Sequence, residues 1–279
     1  MTDRATTHAI GMEAATPPLS NRHFRGQVVE AEEIAPRIWV HGYRLPEVAR
    51  RAQPGQFVHL RLNDGTAPLL RRPFSVLDVY PGDGVARILF KVVGTGTQIL
   101  AGKRPGDDID VLAPLGSAFQ VPENVRRLTL AGGGIGMVPL YFLAKELTTA
   151  RPGIELDYWF GARSAEEVYL LEDLRQWCKR VEAVTEDGSA GRKGRLPDYA
   201  QEWRGADMIA TCGPIPMLRA IQATTADWPV PVHAALESFM GCGLGACLGC
   251  VLDTVDGFER VCTEGPVFDL RRLNLEVPA

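Results

Sequence analysis

The sequence predicts three units in series: an antiparallel β-barrel, an α/β unit built on a parallel sheet, and a small cysteine-rich unit at the carboxyl end. Three observations carry this. Short β-rich segments separated by turn signals fill residues 21–122, strands alternating with helices fill 123–235, and four of the six cysteines crowd between Cys242 and Cys262 in 236–279. A chain of 279 residues suits about two domains with an appendage, and its 46% hydrophobic and 23% charged residues are ordinary globular usage. The formal charge of −4 argues against a nucleic-acid surface. No run approaches the roughly 18 apolar residues that would span a membrane.

Residues 1–20 contain no apolar stretch of signal-peptide length and read as a flexible extension, which points to a cytoplasmic protein. In the barrel region, GQVVEAEEI, RIWVHGYRL, QFVHLRL, FSVLDVY and ARILFKVV are strand candidates. They are divided by Pro54-Gly55, Asn63-Asp64-Gly65 and Pro81-Gly82-Asp83-Gly84. Within them Arg72-Pro73-Phe74-Ser75, followed by Gly94, Gly96 and Thr97, places a cation, an aromatic ring and a hydroxyl together. That set suits a flavin nucleotide, whose phosphate, ring face and ring heteroatoms need those three contacts. A surface arginine beside a core phenylalanine is the plain alternative.

The α/β region opens on RLTLAGGG and runs into IGMVPLYFLAKEL; IELDYWFGA follows, then a helix over EEVYLLEDLRQWCKR in which Cys178 packs. The glycines Gly132, Gly133, Gly134 and Gly136 stand where strand turns into helix, so a pyrophosphate can approach backbone N–H groups at the positive helix end. The run departs from the GxGxxG fingerprint, and a tight turn without a ligand accounts for it equally. Cys212-Gly213, after the apolar strand ADMIAT, falls at the carboxyl end of the same sheet, where open α/β sheets bind ligands.

The most specific chemistry lies in ESFMGCGLGACLGC with Cys262 eleven residues further on. Cys242, Cys247 and Cys250 have the four-then-two spacing of a plant-type [2Fe-2S] cluster, and the intervening glycines let backbone N–H groups face the sulfurs. A four-cysteine zinc site is the alternative, although zinc ligands usually come as two short pairs. The unit is too small for a large core of its own and is expected to be stapled by what its cysteines bind. His8, His23, His41, His59 and His233 are read as isolated from any acid or nucleophile, so no residue is assigned to chemistry on a carbon substrate.

These motifs, in this order, resemble the ferredoxin reductase superfamily and, within it, the electron-transfer subunits of NAD-dependent two-component dihydroorotate dehydrogenases. The resemblance runs from about Arg22 to the end of the chain, and ESFMGCGLGACLGC with ERVCTEGPVF is its most specific part. It implies FAD in the barrel, with Arg72, Gly96 and Thr97 on the pyrophosphate and Phe74 and Ser75 on the flavin ring. Gly132, Gly133, Gly134 and Gly136 would face NAD, with Cys212 and Gly213 near its nicotinamide. The implied partner is an FMN-containing catalytic subunit, joined in a hetero-oligomer, that oxidises dihydroorotate to orotate in pyrimidine biosynthesis. Leu244 and Leu248, with Phe239 and Met240 nearby, are expected to dock it. A reductase serving another redox partner and a zinc-stapled binding module both stay open. Arg163 with Ser164 leaves NADP open beside NAD.

Overall fold

The computed structural model describes residues 22–275; the extension read at residues 1–20, and His8 with it, lies outside them. Six antiparallel strands close a barrel in the order β1-β2-β5-β4-β3-β6: β1 (His23–Ala35), β2 (Ile38–Arg44), β3 (Phe57–Arg61), β4 (Arg72–Tyr80), β5 (Val85–Lys91) and β6 (Asp108–Leu115). Val58, Leu60, Val76, Ile88 and Val111 fill its interior. Closure leaves no sheet edge to protect. Two short helices interrupt the meander, α1 (Pro46–Arg51) and α2 (Thr95–Gly102).

The second sheet has seven strands. They are β7 (Arg127–Gly133), β8 (Glu155–Ala162), β9 (Arg180–Thr185), β10 (Arg192–Lys193), β11 (Met208–Cys212), β12 (Val232–Ala235) and β15 (Val267–Asp269), in the order β10-β9-β8-β7-β11-β12-β15. The first six run parallel and β15 is antiparallel to β12. Three helices, α3 (Met137–Ala150), α4 (Leu171–Trp177) and α5 (Ile215–Thr225), lie among these strands in the chain. Parallel strands buried on both faces read as nearly continuous apolar runs, which is why RLTLAGG and MIATC are strands. The single helix expected over residues 166–180 is instead a short 3-10 turn at Ala165–Glu167 and α4, because Leu170 adopts φ 59° and breaks the run. Cys178 sits just past the end of α4 and is buried.

The cysteine-rich segment forms a loop, the hairpin β13 (Val251–Thr254) and β14 (Gly257–Arg260), and then β15. It is therefore not stapled by its cysteines alone. Met240, Cys250, Val261, Cys262 and Phe268 share one buried cluster with Trp228 and Val232 of the α/β unit. The small segment borrows the larger unit's core. Barrel and α/β unit are joined by α3, whose Val138, Leu140 and Tyr141 pack in one cluster with Leu77 and Leu89 of the barrel.

Candidate functional site

Around the four cysteines the backbone is bent by left-handed residues at Gly243 (φ 69°), Gly245 (φ 82°) and Leu248 (φ 57°). The bends aim N–H groups at sulfur. Leu244 donates to Cys242 Sγ at 3.3 Å, Gly245 to Cys262 Sγ at 3.2 Å and Gly249 to Cys247 Sγ at 3.5 Å. A Cβ on Gly241 or Gly249 would stand 3.4 or 3.5 Å from Cys247 Sγ, so glycine leaves space beside that sulfur. The thiols face one another in two pairs, Cys242 with Cys247 and Cys250 with Cys262. Cys247 is exposed and Cys242 half-buried, whereas Cys250 and Cys262 are buried.

Burial raises the Cys242 thiol, and the N–H groups of Leu244 and Cys247, the Cys247 thiol and the N–H of Ala246 outweigh it, bringing it down to about 7. Burial pushes Cys262 up to about 12, its neighbour Cys250 adding to the effect. Arg260 braces the loop by donating to the Gly245 carbonyl at 3.1 Å and to Glu264 at 2.9 Å, and that bond holds the Glu264 carboxyl down at about 2. Among the described residues no three Cys, His, Asp or Glu side chains meet at a single-ion position. Paired thiols with N–H groups turned on their sulfurs fit a two-metal sulfide cluster, whose thiolates carry negative charge those dipoles stabilise.

A cavity of about 680 Å3 opens where the barrel meets this loop. Pro73, Phe74 and Ser75 of β4 form one side with Thr97; Phe239 and Met240, just before Cys242, form another. Arg72 lies at its edge, half-buried, donating to the Leu70 carbonyl at 2.8 Å. A Cβ on Gly96 would be 3.8 Å from Arg72 Nε, so the guanidinium rests on the first turn of α2, and the space a side chain at Gly94 would occupy is empty. Next to Thr97, the unpaired N–H groups of that turn and the guanidinium give the cavity a positive border. That suits a planar ring system carrying a diphosphate, and FAD is such a group.

A second cavity, of about 710 Å3, lies over the carboxyl ends of the parallel strands. Gly133, Gly134 and Gly213 line it; Gly134 has φ 56° and open space where a Cβ would stand, so a ligand can reach the backbone there. Gly132 and Gly136 are behind the wall: a Cβ on Gly132 would come within 2.8 Å of Met137 Cα, and one on Gly136 within 2.4 Å of the Cys212 carbonyl oxygen. These two glycines serve close packing. Cys212 is buried too, and burial drives its thiol far above the ordinary range.

Lys91, Ile135 and Glu237 line both cavities and so stand between them. Sequence reasoning passed over Lys91 and Glu237, whose placement depends on three elements converging. Glu237 presents surface to the cavities, yet the atoms around it screen it from bulk water enough to raise its carboxyl. At the far end of the second cavity are Arg163, Glu186 and Arg195. His23, read as isolated, pairs with Asp110 at 2.9 Å.

A barrel with a cavity bordered by an arginine, opposed by a parallel sheet with glycine-rich strand ends, defines a flavin reductase of the ferredoxin-reductase class. The similarities agree. The NADH-dependent reduced ferredoxin-NADP oxidoreductase, studied for flavin-based electron bifurcation, superposes with a TM-score of 0.81 at 30% identity, covering 90% of each chain. The ferredoxin reductase in carbazole 1,9a-dioxygenase, at TM-score 0.65 and 19% identity over 76% of this chain and 68% of its own, shares the fold. Residues 237–274 match the iron-sulfur cluster binding domain of dihydroorotate dehydrogenase B.

The electron transfer subunit of dihydroorotate dehydrogenase B (NAD(+)) from Desulforamulus reducens is 38% identical over 252 residues, covering 88% of this chain and 95% of that one. The Geobacillus kaustophilus subunit is 40% identical over 229 residues, 79% and 86% of the two chains. The chain belongs to the family of dihydroorotate dehydrogenase B electron transfer subunits.

Proposed function

We propose that this chain carries electrons between an FMN-containing catalytic subunit, which oxidises dihydroorotate to orotate in pyrimidine biosynthesis, and NAD+. The observation that supports this reading is adjacency: Lys91, Ile135 and Glu237 are common to both cavities, and Phe239 and Met240 run from the first cavity directly into Cys242. Three redox sites thus stand in a row.

The units in this reading are residues 21–122 for FAD, 123–235 for NAD and 236–279 for the cluster. FAD exchanges two electrons with the dinucleotide and one at a time with a [2Fe-2S] cluster, so it belongs in the middle. Cys242, Cys247, Cys250 and Cys262 hold the cluster. Arg72, Gly94, Gly96 and Thr97 hold the flavin diphosphate, with Pro73, Phe74 and Ser75 against its ring. Gly133, Gly134 and Gly213 let the dinucleotide approach, and Gly132, Gly136 and Cys212 shape the wall behind it. Glu237 and Lys91 stand where the two cavities meet, and Phe74 and Phe90 give the first an apolar wall that would restrict water beside a bound flavin.

No helix among the described residues is long and apolar enough to cross a membrane. The reading places the chain in the cytoplasm, where reducing conditions keep cluster thiols free. The purified chain should show flavin bands and a broad iron–sulfur shoulder between about 350 and 600 nm. With its catalytic subunit it should reduce NAD+ at the expense of dihydroorotate. A colourless protein, or a coloured one that fails to reduce NAD+ from dihydroorotate when the catalytic subunit is present, overturns the reading.

A further inference from the structure

His59 is wholly buried on β3, and neither ring nitrogen makes a hydrogen bond of ordinary geometry. A buried polar group without a partner is costly and calls for a reason. Its surroundings supply one. Phe57, two residues earlier, lines the first cavity, and alternate residues of a strand share a face. In the sheet His59 stands opposite Pro73, which lines the same cavity. On the other side the ring abuts the cysteine loop: a Cβ on Gly243 would stand 2.6 Å from His59 Nδ1, and Gly243 holds φ 69°. The backbone carbonyls of Cys242 and Arg71 face the imidazole. One side chain therefore touches the barrel beside the flavin cavity and the loop that carries the first cysteine.

We propose that His59 is a positioning residue that ties the Cys242 end of the loop to the barrel by directing a ring N–H at the Cys242 backbone carbonyl, so that its dipole raises the potential at which the cluster accepts an electron. The inference rests on the cluster reading above. An imidazole carries at least one N–H in either protonation state. Hydrogen bonds and dipoles around a cluster tune its potential, and an N–H dipole pointed at a ligand's backbone favours the reduced, more negative state. Gly243 fits the same logic, since any side chain there would push the loop off the ring.

The test is a redox titration of the intact enzyme followed by electron paramagnetic resonance, comparing the parent with His59→Leu and His59→Asn. His59→Leu removes the donor and should disfavour cluster reduction about tenfold, a shift of about 59 mV for one electron. Its spectrum should change, while flavin content and flavin reduction by NADH stay at the parent level. His59→Asn retains an N–H and should recover part of the shift. Identical potentials in all three overturn the proposal. So does equal loss of iron from both variants, because that result assigns His59 to packing alone. A parent enzyme without any iron–sulfur signal would instead remove the cluster reading on which the proposal stands, and the two failures are distinct.

Discussion

At the scale of single residues, chemistry written in spacing was legible and chemistry made by convergence was not. Cys242, Cys247, Cys250 and Cys262 stand out in the sequence because a cluster needs thiolates at fixed intervals. Lys91, Glu237 and His59 carry no such mark, since β3, β5 and the segment after β12 meet only in the folded chain. Cys250 is buried beside Cys262, and a hydroxyl is a poor ligand for iron. Cys250→Ser should therefore lose or destabilise the cluster while stopped-flow bleaching of the flavin by NADH remains normal; an unchanged iron–sulfur spectrum would refute the ligand assignment. Arg72 tests the other cofactor. Its guanidinium lies against the first turn of α2, where a diphosphate oxygen would accept a charge-assisted bond worth about 1.5 to 3 kcal/mol. Arg72→Ala should then weaken FAD retention by about one to two decades, read as flavin lost on dialysis. Stoichiometric FAD after dialysis would make Arg72 a surface charge.

At the scale of elements, strands were read well where alternation or continuous apolarity was strong, and helices failed where one residue broke the pattern. Leu170 in the left-handed region divides what periodicity joined, and α2 is short enough to pass for a loop. The bond between barrel and α/β unit was invisible, because it depends on a buried carboxylate. Asp78 of β4 accepts from Arg87 Nε at 2.8 Å and Nη2 at 2.6 Å, and from Lys145 of α3 at 3.0 Å. Burial alone would raise its carboxyl, but the bonds and charge of Arg87 and then Lys145 bring it below the ordinary value of 3.8. A lowered carboxylate contributes stability above its unfolded value and loses it as pH falls through the folded one. This joint should hold at pH 5 and loosen only on acidification below 3.8. Asp78→Asn leaves two cations facing a neutral amide, a change that costs about 3 to 5 kcal/mol when buried pairs are broken. Urea denaturation should show that loss, and a change under 1 kcal/mol would place the joint elsewhere, chiefly in the apolar contacts of Leu77 and Leu89 with α3.

At the scale of the whole molecule, the three redox sites of the proposed reading form a path with one open end. Cys247 is exposed, and so are its neighbour Leu248 (62%) and Phe239 (96%), three residues before Cys242. Large side chains left in water together beside a cluster mark a surface that another protein covers. The two leucines of the loop divide here. Leu244 is half-buried and packs on the core shared with the α/β unit, whereas Leu248 points outward at φ 57°. Asp is more tolerant of that backbone region than Leu, so Leu248→Asp should leave the loop intact and alter only what docks on it. An uncompensated carboxylate in a buried interface costs several kcal/mol, enough to dissociate a micromolar complex. Size-exclusion chromatography of Leu248→Asp with the catalytic subunit should show separate peaks. NADH reduction of a small artificial acceptor and the iron–sulfur absorbance should both persist. Leu244→Asp is the contrasting variant: a charge driven into the shared core should strip the cluster from the isolated chain before any partner is added. An intact complex and full dihydroorotate-linked turnover with Leu248→Asp would move the docking surface away from the cluster, and the electron path would then need another exit.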